Sequence, residues 1–404
     1  MNEVCKIFKK SPEVYSLFFL AVLTSLAINA GDTTLAPYYI RVIIQILCYL
    51  LTIFLLYKIV KGTCRSRLFF VVLIPLLCYW LLGIFNDYSG SPQWAPLFLL
   101  EILAFASISD NIKKDAFNLY VWFLTVMSIA GLLVVCSFFI FPFLPYTVEP
   151  YYGENTHNFF YFNYTISYLF IDNQEGMRLC GLFNEPGYFG TMLSLAIISD
   201  NFNLKNPRVI IMLVAGLCTF SVAFLVTLVA YLIFRNCDRP LYLFVFAFAL
   251  FYFYEVLPTL HFNDRMLDTL VHRISFENGR LAGDNRDYIN TTNLMAVFNG
   301  SSDVFFGRGL GATKALGVSF KMMIIQIGYI GVFLTYGLLF VAGFKYSKRN
   351  WMAISFLLCF FINVYQRTNI FSMNYLLVLF GGLLHIQKSI DDKHNIKIKK
   401  INEQ

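Results

Sequence analysis

Apolar runs of about 18 residues or more recur along the whole 404-residue chain and constrain its fold more than any other feature. In a bilayer such a run must be helical, because only a helix satisfies every backbone polar group within its own segment. A membrane β-barrel would show weak alternation instead. The runs predict an all-α polytopic membrane protein with about 12 transmembrane helices, near residues 12–30, 38–58, 68–86, 92–109, 117–141, 187–200, 208–220, 221–235, 241–257, 322–344, 351–366 and 373–387. Composition agrees, since 58% hydrophobic and 14% charged residues do not suit a soluble globule. No cleavable signal peptide is expected before the first run. The chain reads as one membrane domain over 1–404.

Charge sets the expected topology. The linkers 58–67, 111–115, 200–208, 235–239 and 345–349 are basic, as is the tail 388–404. The positive-inside rule makes all of them, and both termini, cytoplasmic. The net charge of +7 is then loop charge of a membrane protein, and no nucleic-acid partner is expected. Segment 209–234 has basic loops at both ends, so a single crossing would export one of them. Two short crossings, or a re-entrant hairpin, are expected there, turning near Thr219-Phe220-Ser221. Two long outer loops remain, 142–186 and 258–321, and loops of that length are rarely idle.

Lysine and arginine part company under this topology. Nearly every lysine falls inside, Lys314 and Lys321 excepted, whereas Arg41, Arg178, Arg265, Arg273, Arg280, Arg286, Arg308 and Arg367 fall outside. A planar guanidinium fork grips phosphate or carboxylate better than an ammonium does. The structural alternative is pairing with Asp264, Asp268, Glu277, Asp284 and Asp287. Arg178 has few acidic neighbours in sequence except Glu175 and Glu185, which makes it the first candidate for an anionic ligand such as a diphosphate. Arg280 and Arg286 follow, then Arg308, Arg273 and Arg41.

Arg178 opens the densest motif, Arg178-Leu-Cys-Gly181-Leu-Phe-Asn184-Glu185-Pro186-Gly187-Tyr-Phe-Gly190. Pro186 suits a first helical turn, with Asn184 as the expected cap. The helix that follows runs inward, so its N-terminus faces the outer leaflet and attracts phosphate. Two roles stand for Glu185: a general base on a sugar hydroxyl, or a complement to its own helix dipole. His261, His272 and Asp287 are rival bases.

Phe306-Gly307-Arg308-Gly309-Leu310-Gly311 lacks the GK[ST] of a P-loop. It is either a turn with positive φ angles or backbone brought close to a phosphate or sugar. The outer aromatics Tyr146, Tyr151, Tyr152, Phe159, Phe160, Tyr161, Tyr164 and Tyr168 form either an interfacial belt or a sugar-stacking surface. The nine cysteines are scattered, and only Cys180 looks exposed on the outside. No CxxC, HExxH or His/Asp cluster is present, so neither a metal site nor a disulfide scaffold is expected.

The pattern R-x-x-G-x-x-x-E-P-G at Arg178, Gly181, Glu185, Pro186 and Gly187 resembles that of bacterial Wzy-type polysaccharide polymerases. Arg280, Arg286 and Gly307, Gly309 and Gly311 resemble that family's second large outer loop, and the span count and inside termini are similar. The resemblance implies an inverting, metal-independent glycosyltransferase of the bacterial inner membrane, without cofactor. It would move a growing glycan from one undecaprenyl diphosphate to the sugar of another lipid-linked repeat unit, at the periplasmic face, for O-antigen or capsule. Arg178 and Glu185 would be catalytic, and Arg178, Arg280, Arg286, Arg308, Arg273 and Arg41 would hold diphosphate.

Membrane lipid, a chain-length regulator and a flippase are the implied partners. The related O-antigen ligases carry a His-Asn pair where this chain reads Ala315-Leu-Gly317-Val-Ser319-Phe320, which favours a polymerase. Some polymerases place ten residues between an arginine and a glycine in both loops; here eleven lie between Arg178 and Gly190, and the second loop holds no clean match. The rivals are a polysaccharide flippase or other secondary transporter, and a non-catalytic partner in glycan export.

Overall fold

The computed structural model describes residues 10–26, 38–61, 66, 69–85, 94–150, 157–162, 165–172, 176–183, 185–237, 244, 248, 276–277, 280–281, 303–307, 320–365, 367 and 370–402. The described chain is mostly helical. In order it forms α1 (Pro12–Ser25), α2 (Tyr38–Val60), α3 (Phe69–Phe85), α4 (Trp94–Ser107) and α5 (Asp110–Phe139). Four strands follow: β1 (Tyr146–Pro150), β2 (His157–Phe162), β3 (Tyr168–Asp172) and β4 (Gly176–Gly181). Next come α6 (Pro186–Ser199), α7 (Pro207–Cys218), α8 (Val222–Arg235), and the two-residue strands β5 (Phe276–Glu277) and β6 (Arg280–Leu281).

The C-terminal part holds α9 (Asp303–Phe306), α10 (Phe320–Val332), α11 (Leu338–Tyr346), α12 (Trp351–Val364), α13 (Met373–Leu376) and α14 (Gly382–Asn402). One π turn, Phe333–Gly337, joins α10 to α11, and another, Leu377–Gly381, joins α13 to α14.

Among the described residues three helical stretches are long and apolar enough to cross a membrane: Val42–Val60, Asp110–Phe139 and Met323–Tyr346. Seven further apolar helices are shorter. Each expected span other than 241–257 coincides with a described helix, and 241–257 falls outside the described residues save Phe244 and Phe248. The tail is helical as far as Asn402.

The chain divides into two compact units, one of Met1–Thr24, Gln45–Tyr120 and Arg286–Gln404, the other of Ser25–Ile44 and Val121–Asn285. In the first unit the basic linkers gather at one end. Lys10 pairs with Asp115 at 2.8 Å and Lys58 with Glu13 at 3.2 Å. Asp110 accepts from Ser66 Oγ at 3.4 Å and from Tyr346 OH at 3.1 Å, and Gln387 Nε2 donates to the Ser347 carbonyl. These bonds tie together the N-terminal segment, three linkers and the end of the expected span 373–387.

Elsewhere in this unit Tyr79 stacks on Phe371 at 4.0 Å, with Tyr336 edge-on to Phe371 at 5.1 Å. Helix α10 breaks at Gly328, whose φ is 65°. There the chain meets its own backbone: a Cβ on Gly328 would lie 2.2 Å from the Phe305 carbonyl oxygen, and one on Gly307 equally close to that of Gln326. Gly307 has φ +78°, so at this position the glycine-dense segment is a turn and a close approach to protein backbone.

The second unit corrects the all-α class. Much of the loop 142–186 folds as an antiparallel meander, in order β1-β2-β3-β4. The sequence hid it because aromatic strands bounded by prolines look like an interfacial belt. Along β4, Leu179 and Gly181 face α5: Leu179 fills the space beside Gly131, and Gly181, at φ +64°, sits against Met127. Period-two alternation then turns Arg178 the other way.

After the sheet, α6, α7 and α8 run down, up and down. A Cβ on Gly190, near the start of α6, would lie 2.9 Å from Ser221 Cβ and 3.0 Å from Thr219 Oγ1. At the other end Asn201 accepts from Tyr231 OH at 2.8 Å and from Arg235 Nη1 at 2.9 Å. The segment 209–234 is therefore two antiparallel helices, broken at Thr219–Ser221 as the charge pattern required. Ser221 caps α8 by accepting from the Phe224 amide, and Phe220 turns the chain at φ 45°.

Candidate functional site

The site grows from the turn between β4 and α6. Glu185, not Asn184, is the N-cap residue, with extended backbone (φ −146°, ψ 144°), and Pro186 follows as the first helical residue. Proline fits because its missing N–H is one the first turn leaves without a partner. The Glu185 carbonyl accepts from the Tyr188 and Phe189 amides at 3.0 and 3.3 Å. Its side chain makes no capping bond to the helix, so the capping role is filled by its backbone alone.

Aromatic packing fixes this turn. Phe183 stacks on Phe189 at 5.3 Å and meets Tyr188 edge-on at 5.2 Å, while Tyr168 OH donates to the Phe183 carbonyl. From Phe189 to Ser199 every residue of α6 is buried. Cys180, expected to be exposed, is fully buried in β4.

Arg178 projects to the opposite helix pair. Its Nε donates to the Thr219 carbonyl at 3.1 Å. Thr219 is the C-cap of α7, so the guanidinium sits at the negative end of that helix, a favourable place for a cation. One of its partners is thus a helix-terminal carbonyl, an alternative that sequence neighbours do not suggest. Gly190 permits the same approach from α6, because any side chain there would strike Thr219 and Ser221. Arg178, Gly190 and Ser221 together hold the turn between α7 and α8. The outcome is a half-buried guanidinium on the turn packed against α6, whose N-terminus also favours an anion, with the Glu185 carboxylate, a proton acceptor, at the start of that helix.

The other candidates are placed less fully. Arg41 lies in α2 and Arg280 in β6, and their side chains are outside the described residues. Arg280 is the strand partner of Glu277, the arrangement that acid pairing would need. Arg273, Arg286, Arg308, His261, His272 and Asp287 fall outside the described residues. Of the expected site, the structure describes the side chains of Arg178, bonded to the turn between α7 and α8, and Glu185, at the start of α6. Among the described residues no three His, Cys, Asp or Glu side chains gather as a metal site would require.

Two charged residues went unweighed in the sequence. Glu101, within the run 92–109, is only 7% exposed in α4. Lys113, counted as linker charge, is fully buried; its Nζ makes no hydrogen bond, lies 4.0 Å from Asp110 and sits over the Phe105 ring at 5.1 Å. A charge inside an apolar run was the available signal for Glu101; for Lys113 there was none. No family model, characterised protein or solved structure matches the chain.

Proposed function

We propose that this chain is a membrane glycosyltransferase of the polysaccharide-polymerase type. It transfers a glycan from one polyprenyl diphosphate to a sugar hydroxyl of a second lipid-linked repeat unit. About a dozen crossings, cytoplasmic termini and an outward-facing site belong to the same reading, and the gathering of the basic linkers at one end of the first unit supports them.

The observation that carries the reaction is the hold of Arg178 on the α7–α8 turn, which packs against Gly190 of α6, the helix that Glu185 begins. Negative charge grows on the departing diphosphate, and a fixed guanidinium beside a helix N-terminus stabilises it. Glu185, which does not cap the helix with its side chain, takes the proton of the attacking hydroxyl. The remaining arginines, Arg280, Arg286, Arg308, Arg273 and Arg41, are assigned to the two diphosphates.

A charge-assisted contact contributes roughly 1.5–3 kcal/mol, so losing it slows transfer about 10- to 100-fold. The test is chain extension by purified protein supplied with lipid-linked repeat units. Arg178→Gln keeps a donor for the Thr219 carbonyl while removing the charge. It is expected to lose extension with little change in thermal stability, and Glu185→Gln to lose it as well. Extension that survives both substitutions removes this site.

A second reading, a flippase or secondary transporter, is favoured by one observation: Glu101 and Lys113 are charges buried within the helical first unit. Buried intramembrane charge often marks an ion or substrate path. Lipid flipping without extension in the same vesicles, abolished by Glu101→Gln, decides for transport.

A further inference from the structure

We propose that the meander of the second unit is seated in the outer leaflet of the membrane, held by an uncharged ridge from Phe139 to Val148 whose occupant is phospholipid at the headgroup–acyl boundary. Residues 139–148, Phe-Ile-Phe-Pro-Phe-Leu-Pro-Tyr-Thr-Val, carry no charge. Phe141 is 72% exposed and Phe143 56%, and Tyr146 and Val148 of β1 are exposed with them. Large apolar side chains packed this densely on a surface need a cover. The ridge continues the exposed stripe of α5, Val126, Ile129 and Leu133, whose spacing of three and four residues lies on one helix face. Because α5 is one of the three helices fit to cross a membrane, what covers its stripe is lipid, and the ridge is the same surface carried past the helix end.

Depth points the same way. Strand β4 touches α5 at Gly131 and Met127. At about 1.5 Å per residue these points lie roughly 12 and 18 Å below Phe139 along the helix. Helices α6, α7 and α8 have 14, 12 and 14 residues. That makes them about 21, 18 and 21 Å long, against roughly 30 Å of hydrocarbon. If their basic ends rest at one interface, the end that holds Arg178 lies below the opposite one.

The sheet itself limits how far the ridge sinks. Strand β1 is an edge, and edge backbone groups need water, which the hydrocarbon core lacks. Pro142, Pro145 and Pro150 remove three of the donors around it. The headgroup–acyl boundary meets both demands, with apolar rings buried and edge amides hydrated, as for interfacial helices that sink roughly 5–10 Å. A site reached beside this ridge is open to ligands that arrive within the leaflet. The placement does not rest on the polymerase reading, because it uses only exposure, charge and contact.

The test replaces Phe141 or Phe143 by p-benzoylphenylalanine in the full chain, reconstituted in phosphatidylethanolamine–phosphatidylglycerol vesicles and irradiated. Leu133 is the lipid-facing control, and Asn203, exposed in the basic loop between α6 and α7, is the aqueous one. Phospholipid adducts are expected at both ridge positions, as at Leu133, and none at Asn203. Loss of the adduct at either ridge position while Leu133 retains it overturns the proposal. So does a cross-link from the ridge to a second copy of the chain. If either variant fails to purify, Val148 takes its place. Chain extension measured on the same samples reads the reaction separately.

Discussion

Lys113 and Arg178 show how differently two basic side chains are used in this protein. Arg178 is half-buried and shares its charge with a helix C-terminus, where a cation is electrostatically welcome. Lys113 is wholly buried, with Asp110 at 4.0 Å and aromatic rings of Phe105 and Tyr346 at 5.1 and 6.0 Å. Desolvating an ammonium costs several kcal/mol, and one distant carboxylate with two ring faces offsets only part of it. The two halves of this pair should therefore respond with opposite sign. Lys113→Met keeps the volume and removes the buried charge, so it is expected to leave stability unchanged or to raise it by about 1–4 kcal/mol. Asp110→Asn retains the acceptor for Tyr346 and Ser66 but strips Lys113 of its counter-charge. Since Asp110 is one-third exposed, a loss of about 2 kcal/mol is expected, below the range for a fully buried pair. Thermal unfolding in detergent compares the two; equal losses would make the pair a net stabiliser and refute this account.

The hairpin of α7 and α8 is the element on which the candidate site leans. Its break follows from local chemistry: Ser221 is a good N-cap, and the basic loops at both ends forbid one long helix. Its position follows from contacts made by other elements, the Arg178 guanidinium and the bare Cα of Gly190. Ser221→Ala is expected to cost about 1 kcal/mol through the lost cap. Gly190→Ala forces Thr219 and Ser221 to give way and costs about 1–3 kcal/mol. Asn206→Ala removes the N-cap of α7 at the opposite end, for about 1 kcal/mol. If the turn positions Arg178, extension falls with the first two variants and holds with Asn206→Ala at a comparable loss of stability. Equal effects on extension in all three would reduce the hairpin to a structural support. The meander lacked any such local signature: its strands pair across eight or nine residues, as Phe170 with Arg178 and Phe160 with Leu169, yet the segment holds no Asn-Gly or Asp-Gly pair to announce a tight hairpin.

At the scale of the whole molecule, charge asymmetry and chain geometry agree. Linkers read as cytoplasmic are tied to one another at one end of the first unit, and the 200–208 and 235–239 loops meet through Asn201 and Arg235 in the second. Cys237, exposed beside Arg235, is thus expected to resist a membrane-impermeant maleimide in intact cells and to react once the membrane is opened. Labelling from outside would invert the topology of the second unit. Apolar run length, loop charge and Pro186 were enough to read, by themselves, the helical segments, the break at Thr219–Ser221 and a helix starting at the motif, because these depend on partition into lipid and on local backbone preference. The meander, the burial of Cys180 and Lys113, and the partner of Arg178 were decided only by the tertiary structure. Arg178 finds its acceptor 41 residues away, at a carbonyl that any residue type would supply, so no pattern of side chains announces it.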